Sequence, residues 1–205
     1  MEFRSMNRSI PPIVLNLIII NVLFFFAELL LGGTSGFIGE LLNQLPLFPI
    51  ESGFFQPYQL ISYMFLHAGF SHLLLNMFGL WMFGSLMENL WGPKRFLIFY
   101  VVCGLAAGIA QLLLGNGPAV GASGAIMGLL VAYGYTFPNT QLFVFPIPFP
   151  IKAKWAVLGI LALDIFGGIS NSPADNIAHF AHLGGAVIGF IIVLYWNKTN
   201  RQRFY

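Results

Sequence analysis

Ser123 lies among small residues, Gly121-Ala122-Ser123-Gly124-Ala125, at the head of an apolar run that continues Ile126-Met127-Gly128-Leu129-Leu130. Glycine has no Cβ, so another backbone can come close there and the chain can turn sharply. A helix starting at this point leaves its first N–H groups unpaired, a setting that favours developing negative charge. A serine there becomes a nucleophile if a base can reach it. The same cluster of small residues also suits close helix–helix packing, and Ser123 alone leaves both readings open. The G-x-S-x-G elbow of soluble hydrolases is not matched, because a glycine follows Ser123 directly and no strand precedes it.

The candidate bases are few. The four histidines fall in two pairs, His67 with His72 and His179 with His182. His72 and Asn76 are four apart and so share a helix face. Both side chains donate hydrogen bonds, which suits either an oxyanion hole or plain interhelical bonding. His182 precedes the G-x-x-x-G pair Gly185 and Gly189, which lets its helix pack tightly. If the packing partner carries Gly124 and Gly128, His182 comes within reach of Ser123. Asp164 is the one acid in its apolar stretch and could orient a histidine or pair elsewhere. Neither histidine spacing matches H-E-x-x-H, so no metal site is expected. Asp164 and Asp175 lack the setting of an aspartyl intramembrane protease.

The elements that must position these residues are transmembrane. Of 205 residues, 58% are hydrophobic and only 8% charged, with mean hydropathy +0.81; soluble domains carry about a quarter charged residues. A span needs about 20 apolar residues, and six stretches are expected to qualify: 13–31, 61–87, 96–114, 122–138, 153–170 and 177–196. The fold class is an all-α, polytopic bundle in a single domain over 1–205. The first stretch follows Arg4 and Arg8 and is read as a retained anchor. The nine basic residues are Arg4, Arg8, Lys94, Arg95, Lys152, Lys154, Lys198, Arg201 and Arg203. With six spans all of them fall on one side, opposite Glu40, Glu51 and Asp175, so both termini are expected to be cytoplasmic. The lone Cys103 excludes an internal disulfide and reads as a small buried hydrophobe. No basic surface suggests nucleic acid.

Two connections stand out. Residues 32–60 are too apolar for a solvated loop and are expected to form short helices at the outer membrane interface. The stretch from Phe143 to Pro150 is apolar, but its prolines forbid a helix, so an extended strap at the inner interface is expected.

Taken together, Gly121-Ala122-Ser123-Gly124, His72-x-x-x-Asn76 and Ala181-His182-Leu183-Gly184-Gly185-x-x-x-Gly189 resemble the rhomboid family of intramembrane serine proteases. Tyr58-Gln59-Leu60-Ile61-Ser62-Tyr63-Met64-Phe65-Leu66-His67, Leu80-Trp81-Met82-Phe83-Gly84, Glu88, Gly92 and Arg95-Phe96 reinforce the likeness, which covers roughly 55–196. The resemblance implies a Ser123–His182 dyad, with His72, Asn76 and the Ser123 N–H as oxyanion hole. It implies a packing role for the glycines around the dyad, among them Gly121, Gly124, Gly185 and Gly189. It also implies a membrane-embedded outer loop over 32–60 and a mobile gate in the fifth span. No cofactor is implied. The partners would be the lipid bilayer and single-pass or polytopic membrane-protein substrates, and the minimal form suggests a bacterial cytoplasmic membrane with the site open to the outer face.

Two departures bear on the site. Tyr58-Gln59 stands where many members carry Trp-Arg, which puts the anchoring of the outer loop in question. Met127 replaces an aromatic residue that stacks on the histidine, so histidine positioning is expected to differ. Other classes predict different features. A non-catalytic rhomboid-like binding factor lacks the serine or the histidine, whereas this chain has both. A small transporter would tolerate Ser123→Ala.

Overall fold

The computed structural model describes residues 10–32, 36–144, 147–170 and 177–199. Arg4, Arg8, Asp175, Arg201 and Arg203, which enter the orientation argument, lie outside the described residues.

Helix α1, Pro12–Leu31, begins with proline at its first turn, where the missing N–H costs nothing. Its next two N–H groups, on Ile13 and Val14, are capped from far along the chain by the buried carboxylate of Glu88, at 3.0 and 2.8 Å. A carboxylate at the start of a helix also complements the helix dipole.

The segment after α1 carries α2, Phe37–Asn43, a 3₁₀ turn at Ile50–Ser52, and α3, Gln59–Ser62, followed by a second 3₁₀ turn at Tyr63–Phe65. On α2, Phe37, Ile38 and Leu41 are exposed while Leu42 is buried. The expected span over 61–87 is therefore cut. The chain is extended at Leu66 and helix resumes as α4 only at Phe70, running Phe70–Gly79. A π-turn at Leu80–Gly84 joins it to α5, Ser85–Trp91. Gly92 turns with φ +81°, and Pro93 opens α6, Pro93–Leu114.

Helix α7, Ser123–Thr136, is 14 residues long, which spans about 21 Å at ~1.5 Å per residue. That is short of the ~30 Å hydrocarbon core. Five described helical stretches are long and apolar enough to cross a membrane, at Pro12–Leu31, Phe70–Trp91, Pro93–Leu114, Ala153–Ser170 and His179–Thr199. The expected stretch 122–138 is the exception, because α7 has only 14 residues. Gly124 through Leu129 are all buried, so α7 is the helix around which the others pack.

Strands β1, Gln141–Leu142, and β2, Ile151–Lys152, pair antiparallel. The described residues Phe143, Val144 and 147–150 of the expected strap thus belong to the connection of a hairpin, while Phe145 and Pro146 lie outside the described residues. Prolines exclude this stretch from the ladder, where an N–H is needed. Helices α8, Ala153–Ser170, and α9, His179–Thr199, complete the bundle.

The packing of α9 on α7 is set by glycine. A Cβ on Gly185 would overlap the carbonyl oxygen of Gly124, and one on Gly189 would sit 2.7 Å from Gly128 Cα. On its other side α7 meets α6, where Gly128 lies against the buried Cys103. Backbone-to-backbone contact of this kind fixes the relative height of α7 and α9 closely.

Candidate active site

Ser123 is the first residue of α7. In the first turn the N–H groups of Ser123, Gly124 and Ala125 precede the first intrahelical bond, which runs from Ile126 N–H to the Ala122 carbonyl at 3.0 Å. The loop that delivers Ser123 is held from outside. Leu47 and Ala119 exchange backbone hydrogen bonds of 3.0 and 2.9 Å, and Gly121 N–H donates to the Tyr63 carbonyl at 2.8 Å. Gly121 has φ +120°, a conformation that excludes most side chains, and a Cβ there would lie 2.9 Å from His72 Nε2.

Opposite stands His182, on the first turn of α9. Its Nε2 is 2.8 Å from Ser123 Oγ and its Nδ1 is 2.9 Å from Asp164 Oδ1 on α8. An ionised carboxylate only accepts, so His182 carries its proton on Nδ1 and turns the Nε2 lone pair to the serine hydroxyl. Asp164 Oδ1 also accepts from His179 Nδ1 at 2.8 Å. Asp164 is buried, and its second oxygen has no hydrogen-bond partner among the described residues. Sequence reading left the role of Asp164 and His179 open; the structure brings both to His182.

His72 turns its Nε2 to Gly121, where an added Cβ would also stand 3.8 Å from Ser123 Oγ. Its Nδ1 accepts a long bond, 3.4 Å, from Ala68 N–H, which puts the ring proton on Nε2. Asn76 is buried one turn on, and its Nδ2 donates to the His72 carbonyl at 2.8 Å while its Oδ1 is unpartnered among the described residues. One amide hydrogen thus fixes the side chain against its own helix. His67, expected in a span, sits in the connection before α4, edge-on to the His72 ring with centroids 5.1 Å apart. Ser71 is exposed.

Both departures from the family pattern have a structural answer. Gln59 is fully buried; its Nε2 donates to the carbonyls of Gln44 and Phe54, each at 2.9 Å, and its Oε1 accepts from Phe48 N–H at 3.3 Å. An amide thus ties together the segment that pins Ala119. Met127 packs in a small apolar cluster with Val131, Val157 and Ala186, and the His182 ring is oriented by the hydrogen bond to Asp164. Below the site α7, α8 and α9 border an apolar groove of ≈ 640 Å³, lined by Val131, Val157, Leu161, Ile165, Leu183 and Ala186 among others.

Comparison with known proteins places this arrangement. Residues 55–198 match the family model described as the Rhomboid domain. The chain is 32% identical over 154 residues to Rhomboid protein 1, mitochondrial, of Saccharomyces cerevisiae, covering 70% of this chain and 44% of that one. It is 32% identical over 134 residues to Rhomboid protease GluP of Bacillus subtilis, covering 65% and 25%. It is 34% identical over 140 residues to the human Presenilin-associated rhomboid-like protein, mitochondrial, covering 65% and 36%. The chain thus spans less than half the length of these curated relatives.

Proposed function

Because this chain belongs to the rhomboid family of integral membrane proteins, we propose that it is a serine endopeptidase that cleaves membrane-protein segments inside the bilayer. The observation that carries the reading is the 2.8 Å contact between Ser123 Oγ and His182 Nε2, within the reach a nucleophile and its base require.

In this reading Ser123 Oγ attacks the carbonyl carbon of a substrate peptide bond, and His182 Nε2 takes the hydroxyl proton. The carbonyl oxygen becomes an oxyanion held by the Ser123 N–H, His72 Nε2–H and the remaining Asn76 amide hydrogen. His182 returns its proton to the leaving amine, and water then hydrolyses the acyl-enzyme by the same path in reverse order. Asp164 keeps His182 in the productive tautomer and balances the imidazolium that forms. A substrate helix must unwind locally, since its carbonyls are otherwise hydrogen-bonded and shielded. Substrates with helix-breaking or small residues near the membrane surface fit that demand. The apolar groove bordered by α8 gives such a helix a lateral approach from lipid.

The basic residues Lys94, Arg95, Lys152, Lys154 and Lys198 support an orientation in which the site opens toward the outer face with both termini cytoplasmic. A bacterial cytoplasmic membrane is the setting we assign to it. The test is labelling by a fluorophosphonate probe of the detergent-purified protein beside Ser123→Ala and His182→Ala. Labelling of the parent and loss in both variants is expected. A folded parent that resists the probe overturns the proposal.

A further inference from the structure

His179 has no part in the acyl-transfer scheme, yet it shares an oxygen with the base. On α9 it lies three residues before His182, on the same face. Both rings turn Nδ1 to Asp164 Oδ1, at 2.8 and 2.9 Å, and the three donor atoms lie within 4.8 Å of one another. One carboxylate oxygen is crowded by two N–H donors while the other is buried with no hydrogen-bond partner among the described residues. On α8, Gly167 makes room for His179, since a Cβ there would overlap the ring.

We propose that His179 Nδ1, His182 Nδ1 and the Asp164 carboxylate form a zinc-class divalent cation site that switches the protein off. Two imidazoles and a carboxylate suit Zn²⁺, with a fourth position left for water. At metal–ligand lengths of ~2.0–2.1 Å, donor atoms around a tetrahedral ion stand about 3.3 Å apart. The carboxylate pairs therefore open by a few tenths of an ångström. The unpartnered Asp164 oxygen gives the carboxylate a second way to meet the ion.

Binding acts through the tautomer. The ion takes the Nδ1 lone pair of each ring, so the proton leaves Nδ1 and Nε2 is protonated in its place. Each imidazole stays neutral and no net proton is released from either. On His182 that places N–H where the lone pair had faced Ser123 Oγ, and Ser123 then has no base. The serine is not a ligand, so chelation restores activity.

The inhibitory effect rests on the protease reading; occupancy of the site does not. Protein purified through a tag without histidine and stripped with chelator is titrated with Co²⁺, followed by its visible absorption, and fluorophosphonate labelling is timed with and without Zn²⁺. Expected are a tetrahedral Co²⁺ spectrum that Zn²⁺ erases, and labelling that Zn²⁺ stops and chelator restores. For His179→Gln, with rates taken against its own metal-free rate, half-inhibition needs about 10–100-fold more Zn²⁺. A wild-type protein that gives no tetrahedral Co²⁺ spectrum overturns the proposal without recourse to any variant. So does labelling that Zn²⁺ leaves unchanged, or equal Zn²⁺ sensitivity in wild type and His179→Gln, which places the ion elsewhere, such as at His67 and His72. Labelling that persists in Ser123→Ala instead sinks the protease reading, and the Co²⁺ spectrum still decides the site.

Discussion

Replacing Asp164 by asparagine changes one oxygen to an NH₂ group and removes one negative charge. The two orientations of the new amide have different consequences. With its oxygen toward His179 and His182, both hydrogen bonds survive at their present 2.8 and 2.9 Å. The NH₂ then occupies the buried position where Oδ2 has no partner among the described residues, at a cost of about 1–3 kcal/mol for an unpaired donor. The imidazolium formed during attack also loses its counter-charge. With the amide reversed, NH₂ meets two Nδ1 atoms, and His182 must shift its proton to Nε2 to accept from it. Ser123 then faces an N–H and has no base. Loss of an aspartate behind a catalytic histidine costs about 10⁴ in kcat where the tautomer is wrong, or about 5.4 kcal/mol at 1.36 kcal/mol per tenfold. The expected outcome for Asp164→Asn is therefore a labelling or cleavage rate lower by about 10²–10⁴-fold. KM stays close to that of the parent, since Asp164 faces the histidines and not the substrate. The assay is single-turnover cleavage of a fluorogenic transmembrane peptide in detergent, with the thermal midpoint measured in parallel. A folded Asp164→Asn protein that keeps a third or more of the parental rate would refute the reasoning.

Two further outcomes follow from the same contacts. Gly185→Ala puts a methyl group into the Gly124 carbonyl; α9 must move by about 1 Å, which costs about 1–3 kcal/mol of stability and on the order of 10²-fold in rate, read from the thermal midpoint and labelling rate, whereas unchanged rates would mean the two helices do not set the Ser123–His182 distance. Gln59→Ala leaves the half-buried Phe48 N–H and the Phe54 carbonyl without their partner and the Gln44 carbonyl with only a 3.5 Å contact from the Tyr58 hydroxyl, at about 1–3 kcal/mol for a group left shielded and unpaired, and hydrogen exchange should quicken across 44–60 and at Ala119.

The polar residues of the site were readable because polar groups are costly in hydrocarbon and few sequences carry them there without use. Ser123, His72, Asn76 and His182 announce themselves against an apolar background. The pairing of Gly185 with Gly124 was readable because G-x-x-x-G spacing has one dominant physical use. Other features were beyond a local reading. Glu88 caps a helix 75 residues away, and no periodicity reports such a bond. Gln59 looked like the loss of an anchor, because the reading compared residue types and not the three backbone groups that any well-placed amide can satisfy. The break at 66–69 was hidden because Leu66, Ala68 and Phe70 continue the apolar run around His67, and the extended backbone at Leu66 ends the first helical piece. Asp164 is intermediate: an acid within a span, with two histidines three apart on the next helix, is a signal that spacing raises but only packing decides.

The shortness of α7 links these features to one another. A serine at the head of a full-length span would lie at the membrane surface. In the proposed reading the 14-residue helix sets Ser123 below that surface, and the remaining depth is filled by chain that is not helical. That chain, 115–122, carries the backbone groups of Ala119 and Gly121, which lipid cannot satisfy. Leu47 and Tyr63 supply their partners, and Gln59 holds the segment that presents them. The outer segment therefore has a use independent of any substrate: without it the loop leading to Ser123 has unpaired backbone in an apolar medium. It follows that the length of α7 and the hydrogen bonds of residues 44–66 are one design constraint. Lengthening α7 at its start would raise Ser123 away from His182, and loosening the outer segment would lose the loop that makes the short helix possible.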